Sequence, residues 1–402
     1  MKILVICQYY YPEPFRISDI CEELVHRGHE VTVITGIPNY PEGKIYKDYK
    51  NRQRRKEVIN GVNVLRCSTI PRKSGVAYRF LNYYSYSIAS TNYVKKLDNN
   101  YDVVLINQLS PVMMADAGIA YSKMHKKPCV LYCLDLWPES LVAGGIGRES
   151  ALFKHYSLIS QKVYQAVDRL LVTSKMFIDY LSDSFNIDKN RIGYLPQYAE
   201  SFFNPIEISK SKESFNFAFA GNIGEIQSLE TIINAAEILK NEPICWHIIG
   251  NGSDLERIKN LTKRKTLKNI VFYGRKPVEE MPNFYAMADA MLVTLKADKV
   301  SSLTLPGKVQ SYMAAGKPII GAINGETKSV IEEANCGFCG EAENSVLLAD
   351  NIHKFMNFTN KKQLGINARN YYETHFTKNR FMNALENELI EILENHHESI
   401  SI

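Results

Sequence analysis

Several absences narrow the class of this 402-residue chain. No run of about 18 uncharged apolar residues occurs, so no segment is suited to span a bilayer. No targeting segment is read either: Met1-Lys2 leads into a short apolar run, Ile3 to Cys7, with no small-residue cleavage site behind it. A cytoplasmic protein is expected. No complete metal-ligand set is visible. Cys336-Gly-Phe-Cys339 has the spacing of a zinc or redox half-site, but no second Cys or His cluster accompanies it. The eight cysteines therefore read as small buried hydrophobes in a reducing compartment. Charge of one sign is scarce: 48 basic against 43 acidic residues leaves a net +5, which permits an anionic partner without demanding nucleic acid. The densest basic run, Arg52, Arg54, Arg55 and Lys56, reads as a solvated loop.

What is present is an alternation of strand and helix patterns from end to end. Lys2–Cys7, Glu30–Thr35, Val62–Arg66, Val103–Asn107, Pro128–Cys133 and Leu170–Thr173 read as strands, several as continuous apolar runs suited to a sheet covered on both faces. Amphipathic stretches such as Ile17–His26 lie between them, the first ended by Gly28. After the polar stretch Ser209–Ser214 the pattern restarts, with strands at Phe215–Ala220, Ile244–Ile249, Ile270–Tyr273, Ala290–Leu295 and Pro318–Gly321. The length suits two domains of roughly 150–200 residues. The expectation is α/β: two Rossmann-like doubly wound domains facing across a cleft, residues 1–204 and 205–376, with ligands outside the carboxyl ends of the strands.

Several strand ends carry residues suited to chemistry. Gly221-Asn222-Ile223-Gly224 follows a strand and precedes a helix, a place where backbone amides can approach a phosphate. A plain tight turn is the other reading. It is neither a Walker A loop nor GxGxxG. Gly250-Asn251-Gly252-Ser253 repeats the arrangement one strand on, with Ser253 as the expected helix cap. Pro306 and Gly307 open a helix that places Lys308 in its first turn, where a cation is unfavourable unless an anion sits there. Arg16 stands at the corresponding point of the first half. Asp135-Leu136-Trp137-Pro138-Glu139-Ser140 leaves a strand end, with two carboxylates four apart beside an aromatic. They can orient a hydroxyl or move a proton, or merely cap the next segment. Tyr78–Val94 is a helix crowded with tyrosine, read as buried or in contact with lipid.

Together these residues resemble glycosyltransferases of the GT-B fold, family 4, and more narrowly the bacterial O-antigen and capsule L-N-acetylfucosamine transferases. The resemblance runs over nearly the whole chain. It is carried by RGHEVTV (27–33), GIPNYPEG (36–43), DLWPES (135–140), Gly221–Gly224, Gly250–Ser253, Leu305–Lys308 and YMAAGKP (312–318). It implies a UDP-sugar donor in the second domain and a lipid-linked saccharide acceptor, on undecaprenyl diphosphate, in the first. It also implies retention of the anomeric configuration, no metal or other cofactor, contact with the inner face of the cell membrane, and a last helix (377–402) packed back on the first domain. The chain departs from the family pattern in two places. The loop Asn222–Gln227 holds no base, and the usual pair of glutamates falls on Leu303 and Ser311.

On this reading Asp135 and Glu139 are the catalytic candidates. Gly221, Asn222, Ile223, Gly224, Pro306, Gly307, Lys308 and Arg16 take the donor diphosphate and sugar. Gly250, Asn251, Gly252, Arg275 and Ser311 take the nucleoside, and Arg275 is a second candidate for the diphosphate charge. Tyr11, Pro12, Glu13, Asn39, Tyr40 and Trp137 face the acceptor. A UDP-sugar 2-epimerase and a non-catalytic two-lobed binding protein share the architecture and are the competing readings.

Overall fold

The apolar runs fold as strands and the amphipathic stretches as helices in the computed structural model, which describes residues 1–73, 75–208 and 214–401. The first half consists of β1 (Lys2–Ile6), α1 (Ile17–His26), β2 (Glu30–Thr35), β3 (Lys56–Ile59), β4 (Val62–Arg66), α2 (Val76–Val94), β5 (Val103–Gln108), α3 (Asp116–His125), β6 (Cys129–Cys133), α4 (Ala151–Ala166), β7 (Arg169–Val172), α5 (Met176–Phe185) and β8 (Ile192–Tyr194). Its sheet runs β3-β4-β2-β1-β5-β6-β7-β8. Every neighbouring pair is parallel except β3 with β4. The order reverses between β1 and β5.

The β3–β4 hairpin was not expected. Its turn is Asn60-Gly61, both at positive φ (47° and 83°), a combination that two-residue hairpins demand. That dipeptide was the available signal. The basic run is a turn through Arg54, and only its last residue, Lys56, enters a strand.

The second half consists of β9 (Phe215–Ala220), α6 (Leu229–Ile238), β10 (Ile244–Ile249), α7 (Leu255–Arg264), β11 (Ile270–Gly274), α8 (Met281–Met287), β12 (Ala290–Thr294), α9 (Lys299–Leu303), α10 (Gly307–Ala314), β13 (Ile319–Ala322), α11 (Glu326–Glu333), β14 (Gly337–Gly340), α12 (Ser345–Asn357), α13 (Lys361–His375) and α14 (Lys378–Ser401). The sheet is wholly parallel, in the order β11-β10-β9-β12-β13-β14. Alternate residues of β9 serve opposite cores: Phe217 and Phe219 pack with α6 and α12, Ala218 and Ala220 with α10 and α13. The stretch around Cys339 is the edge strand β14, and both Cys336 and Cys339 are free thiols.

The chain divides into two compact units, Met1–Leu195 with Met382–Ile402, and Pro196–Phe381. The division falls ahead of the polar stretch at Ser209–Ser214, of which 209–213 lie outside the described residues. Ion pairs join the last helix to the first unit. Glu386 bonds His29 Nε2 at 2.7 Å and Arg27 at 3.0 Å, and Glu388 holds Arg169 at 2.7 and 2.9 Å. The RGHEV segment is thus consumed in fixing α14.

Candidate functional site

In the second unit the strand order reverses between β9 and β12, where open α/β sheets hold ligands. These two strands pair only through Phe217–Ala290 and Ala218–Met291. Beyond that point the fully buried Tyr312 of α10 takes over. Its Oη accepts from Ala220 N and donates to Ala220 O, both at 2.9 Å. The end of β9 and the helix bearing Lys308 are therefore tied together.

The two glycine loops form one layer. Gly221 N donates to Ile249 O, Ile223 N to Asn251 O, and Asp254 N to Ile223 O, at 2.9–3.0 Å. A Cβ on Gly250, whose φ is 146°, would lie 1.9 Å from Gly221 O. One on Gly252 would lie 2.2 Å from Ile223 O. Side chains are excluded at both positions by backbone, which is the physical reason for the glycines. Asn222 is exposed, with its amide against Gly224 and Gly252. Ser253 does not cap α7. The position before that helix belongs to Asp254, whose carboxylate binds Arg257 at 2.6 and 2.9 Å instead.

Lys308 lies against this layer. A Cβ on Gly221 would meet its Nζ at 3.0 Å. The ammonium sits 4.0 Å from the centroid of the Phe219 ring and donates to Gln227 Oε1 at 2.5 Å. No carboxylate pairs with it among the described residues. Burial holds it well below the ordinary lysine value, at about 7. Pro306 precedes α10 and Gly307 begins it, as the sequence suggested. Ser311 is buried and turned back toward Gly307 O at 3.4 Å. Arg275 is exposed just past β11. Gln227 escaped the sequence reading because an uncharged side chain in a loop carries no pattern.

In the first unit the corresponding reversal, between β1 and β5, gathers a second group. Ser110, just past β5, donates to Asp135 Oδ2 and accepts from Trp137 Nε1, both at 2.9 Å. Burial raises the Asp135 pKa, opposed by its bonds to Ser110. Gln108 Nε2 donates to the carbonyl of Asp135 at 2.9 Å. Glu13 Oε1 accepts from Asn39 N and Tyr40 N at 2.8 and 2.7 Å, and burial still pushes this carboxyl up to about 7. Asn39 Oδ1 in turn accepts from Arg72 N at 2.8 Å. Gly43, at φ 68°, rests on Arg72 O, where a Cβ would come within 2.3 Å. The PNYPEG segment is thus the loop that fixes Arg72. Tyr40 packs on Tyr9 and Phe15, while Tyr11 is exposed beside Pro12. Ser110 and Arg72 were missed, since nothing local in the sequence marks either.

Glu139 has partners of its own in the first unit. It is buried, bound to Arg148 through 2.9 and 3.0 Å contacts, and accepts from Tyr180 Oη at 2.9 Å. This carboxylate is spent on fixing the chain after β6. Arg16 occupies the position preceding α1 in the first unit, and its charge is felt by the buried Tyr132.

Comparison with known proteins follows this division. Residues 15–197 match the family described as Glycosyl transferase 4-like domain, and residues 202–371 match Glycosyl transferases group 1. WcaI of Escherichia coli (strain K12), named as a colanic acid biosynthesis glycosyl transferase, is 24% identical over 339 residues, 79% of this chain and 82% of that one. Among solved structures, sucrose-phosphate synthase from Thermosynechococcus elongatus superposes with a TM-score of 0.77 at 14% identity, covering 98% of this chain and 99% of that one. Anabaena Alr3699/HepE in complex with UDP gives 0.69 at 13%, covering all of both chains.

Proposed function

Because the chain is a glycosyltransferase of the GT-B fold, a 4-like domain followed by a group 1 domain, we propose that it moves a sugar from a UDP-sugar to a lipid-linked saccharide in the synthesis of a surface polysaccharide. The proposed donor sugar is an N-acetylated amino sugar of the N-acetylfucosamine kind, and the proposed carrier is undecaprenyl diphosphate. The observation that carries the donor half is Lys308: a half-buried ammonium that no carboxylate pairs with among the described residues, set against a glycine layer that exposes backbone at a strand end. Such a group is stabilised by an anion, and a diphosphate meets that need. The UDP bound by the Anabaena relative supports the same choice. The colanic acid role named for WcaI supports the polysaccharide.

In the proposed reaction the acceptor oxygen bonds to the anomeric carbon, and the bond from that carbon to the UDP oxygen breaks. UDP leaves with the electron pair. Lys308 stabilises charge developing on the diphosphate, a contribution that grows toward the transition state. The acceptor proton passes to a leaving phosphate oxygen or to Asp135, whose carboxyl desolvation shifts toward holding one. Gly221–Gly224 present backbone to the phosphates. Gly250–Gly252, Ser311 and Arg275 face the nucleoside, and Glu13, Asn39, Tyr40 and Trp137 the acceptor. The reading places the protein at the inner face of the cell membrane.

The test is incubation with radiolabelled UDP-sugars, with and without membrane lipid extract. Label passing into lipid supports the reading. Conversion of the UDP-sugar without acceptor would make the chain an epimerase, and neither outcome with any sugar would sink the catalytic reading.

A further inference from the structure

A lysine is a compact charge on a flexible four-carbon stem, with three donors that turn together. Gripping an anion costs such a side chain rotamer freedom. For Lys308 much of that freedom is removed beforehand. Gln227 Oε1 accepts from its Nζ at 2.5 Å, and the Phe219 ring centroid lies 4.0 Å from the ammonium.

Gln227 is itself held through its backbone. It ends the single turn Glu225–Gln227 that follows the glycine loop after β9. Its N–H donates to Gly224 O at 3.0 Å, and its carbonyl accepts from Thr294 Oγ1 at 2.6 Å. Thr294 is fully buried at the end of β12. Two residues on, Lys296 N donates to Ile226 O at 2.9 Å. Ser228 follows in the left-handed region, at φ 45°, and separates the turn from α6. The loop after β9 is thus pinned to the end of β12, across the point where the strand order reverses. From that anchored loop the Gln227 side chain reaches Lys308 on α10.

The chemistry of the partner matters as much as its position. A carboxylate here would also fix the lysine, but it would cancel the charge that a second anion needs. An amide oxygen accepts the bond and stays neutral. The aromatic face beside it favours a cation and is likewise uncharged. Two of the three ammonium donors remain without a hydrogen-bond partner among the described residues.

We propose that Gln227 is a positioning residue for the donor: it holds the Lys308 ammonium in place without neutralising it, leaving two donors for the diphosphate. The inference rests on the reading of Lys308 as the diphosphate ligand and names the side chain through which that lysine is aimed.

The experiment is calorimetric titration of the full chain with UDP and, separately, with uridine, which lacks the phosphates. Native protein should bind UDP more tightly than uridine. Gln227→Met keeps the length of the side chain and removes the acceptor. Affinity for UDP should then fall about tenfold, with that for uridine unchanged. In a Lys308→Met background the same substitution should cost no more than about twofold further, because the residue it acts through is gone. Gln227→Glu, nearly isosteric with the native side chain, reads the same contact should methionine disturb the loop. It should weaken UDP more than Gln227→Met does, since it fixes the lysine but cancels its charge. A native chain that binds UDP no better than uridine overturns the donor reading, and this inference with it. Losses that add in the double variant overturn the inference and leave the donor reading standing. So does a Gln227→Glu protein that binds UDP as well as the native chain, and so does a fall in uridine affinity that matches the fall for UDP.

Discussion

Replacing Lys308 with methionine should make the unliganded protein more stable and the enzyme worse. The ammonium is held at about 7 against an ordinary 10.5, a difference that corresponds to up to roughly 5 kcal/mol of preference for the neutral form. A depressed lysine costs stability where the unfolded chain binds the proton and the folded one resists it. The penalty is absent above pH 10.5, grows as pH falls, and is complete below about 7. Methionine removes it, keeps the stem against Phe219, and gives up the bond to Gln227. A net gain of about 1–3 kcal/mol is expected at neutral pH, a rise of several degrees in the melting midpoint. UDP affinity should fall about 10- to 100-fold, the loss of one charge-assisted contact. Native UDP binding should also weaken by up to tenfold per pH unit above 7, because the lysine must then take up a proton. Methionine should flatten that profile. Calorimetry with UDP and thermal melts across pH give both quantities. A variant that melts lower than the native protein and binds UDP equally well would refute the reasoning.

Three further outcomes follow from the same geometry. Asp135→Asn should lower turnover about 100-fold or more if the carboxyl handles the acceptor proton; an unchanged rate assigns the proton to the donor phosphate. Gly250→Ala forces a Cβ to within 1.9 Å of Gly221 O, so it should cost at least about 2 kcal/mol in a denaturant titration and abolish UDP binding together with it. Glu139→Gln should destabilise by about 1–3 kcal/mol, because it leaves Arg148 and Tyr180 poorly matched, without changing the pH dependence of transfer.

The strands were legible in the sequence because buried parallel strands are continuous apolar runs, as at Val103–Ile106. β3 was not legible that way: it is an edge strand with charged residues, visible only through Asn60-Gly61. β14 was obscured because Gly337-Phe338-Cys339-Gly340 suggests cysteine chemistry more strongly than a short edge strand. The places of the glycines and of Lys308 at strand and helix ends were readable from spacing. The fate of Glu139 was not, because Arg148 and Tyr180 are 9 and 41 residues away. For the same reason the mutual exclusion of Gly250 and Gly221 could be seen only once the two strands lay side by side.

Tyr312 has a bearing on how the proposed donor site is held together. By bonding both polar groups of Ala220, its phenol locks the register of two elements that would otherwise be free to part. The amide-rich turn and the lysine consequently behave as a single stiff piece, aligned before any nucleotide arrives. If the proposed donor site lies here, little conformational freedom is left to surrender on capture, and substituting phenylalanine at this one position is expected to weaken phosphate binding from a distance.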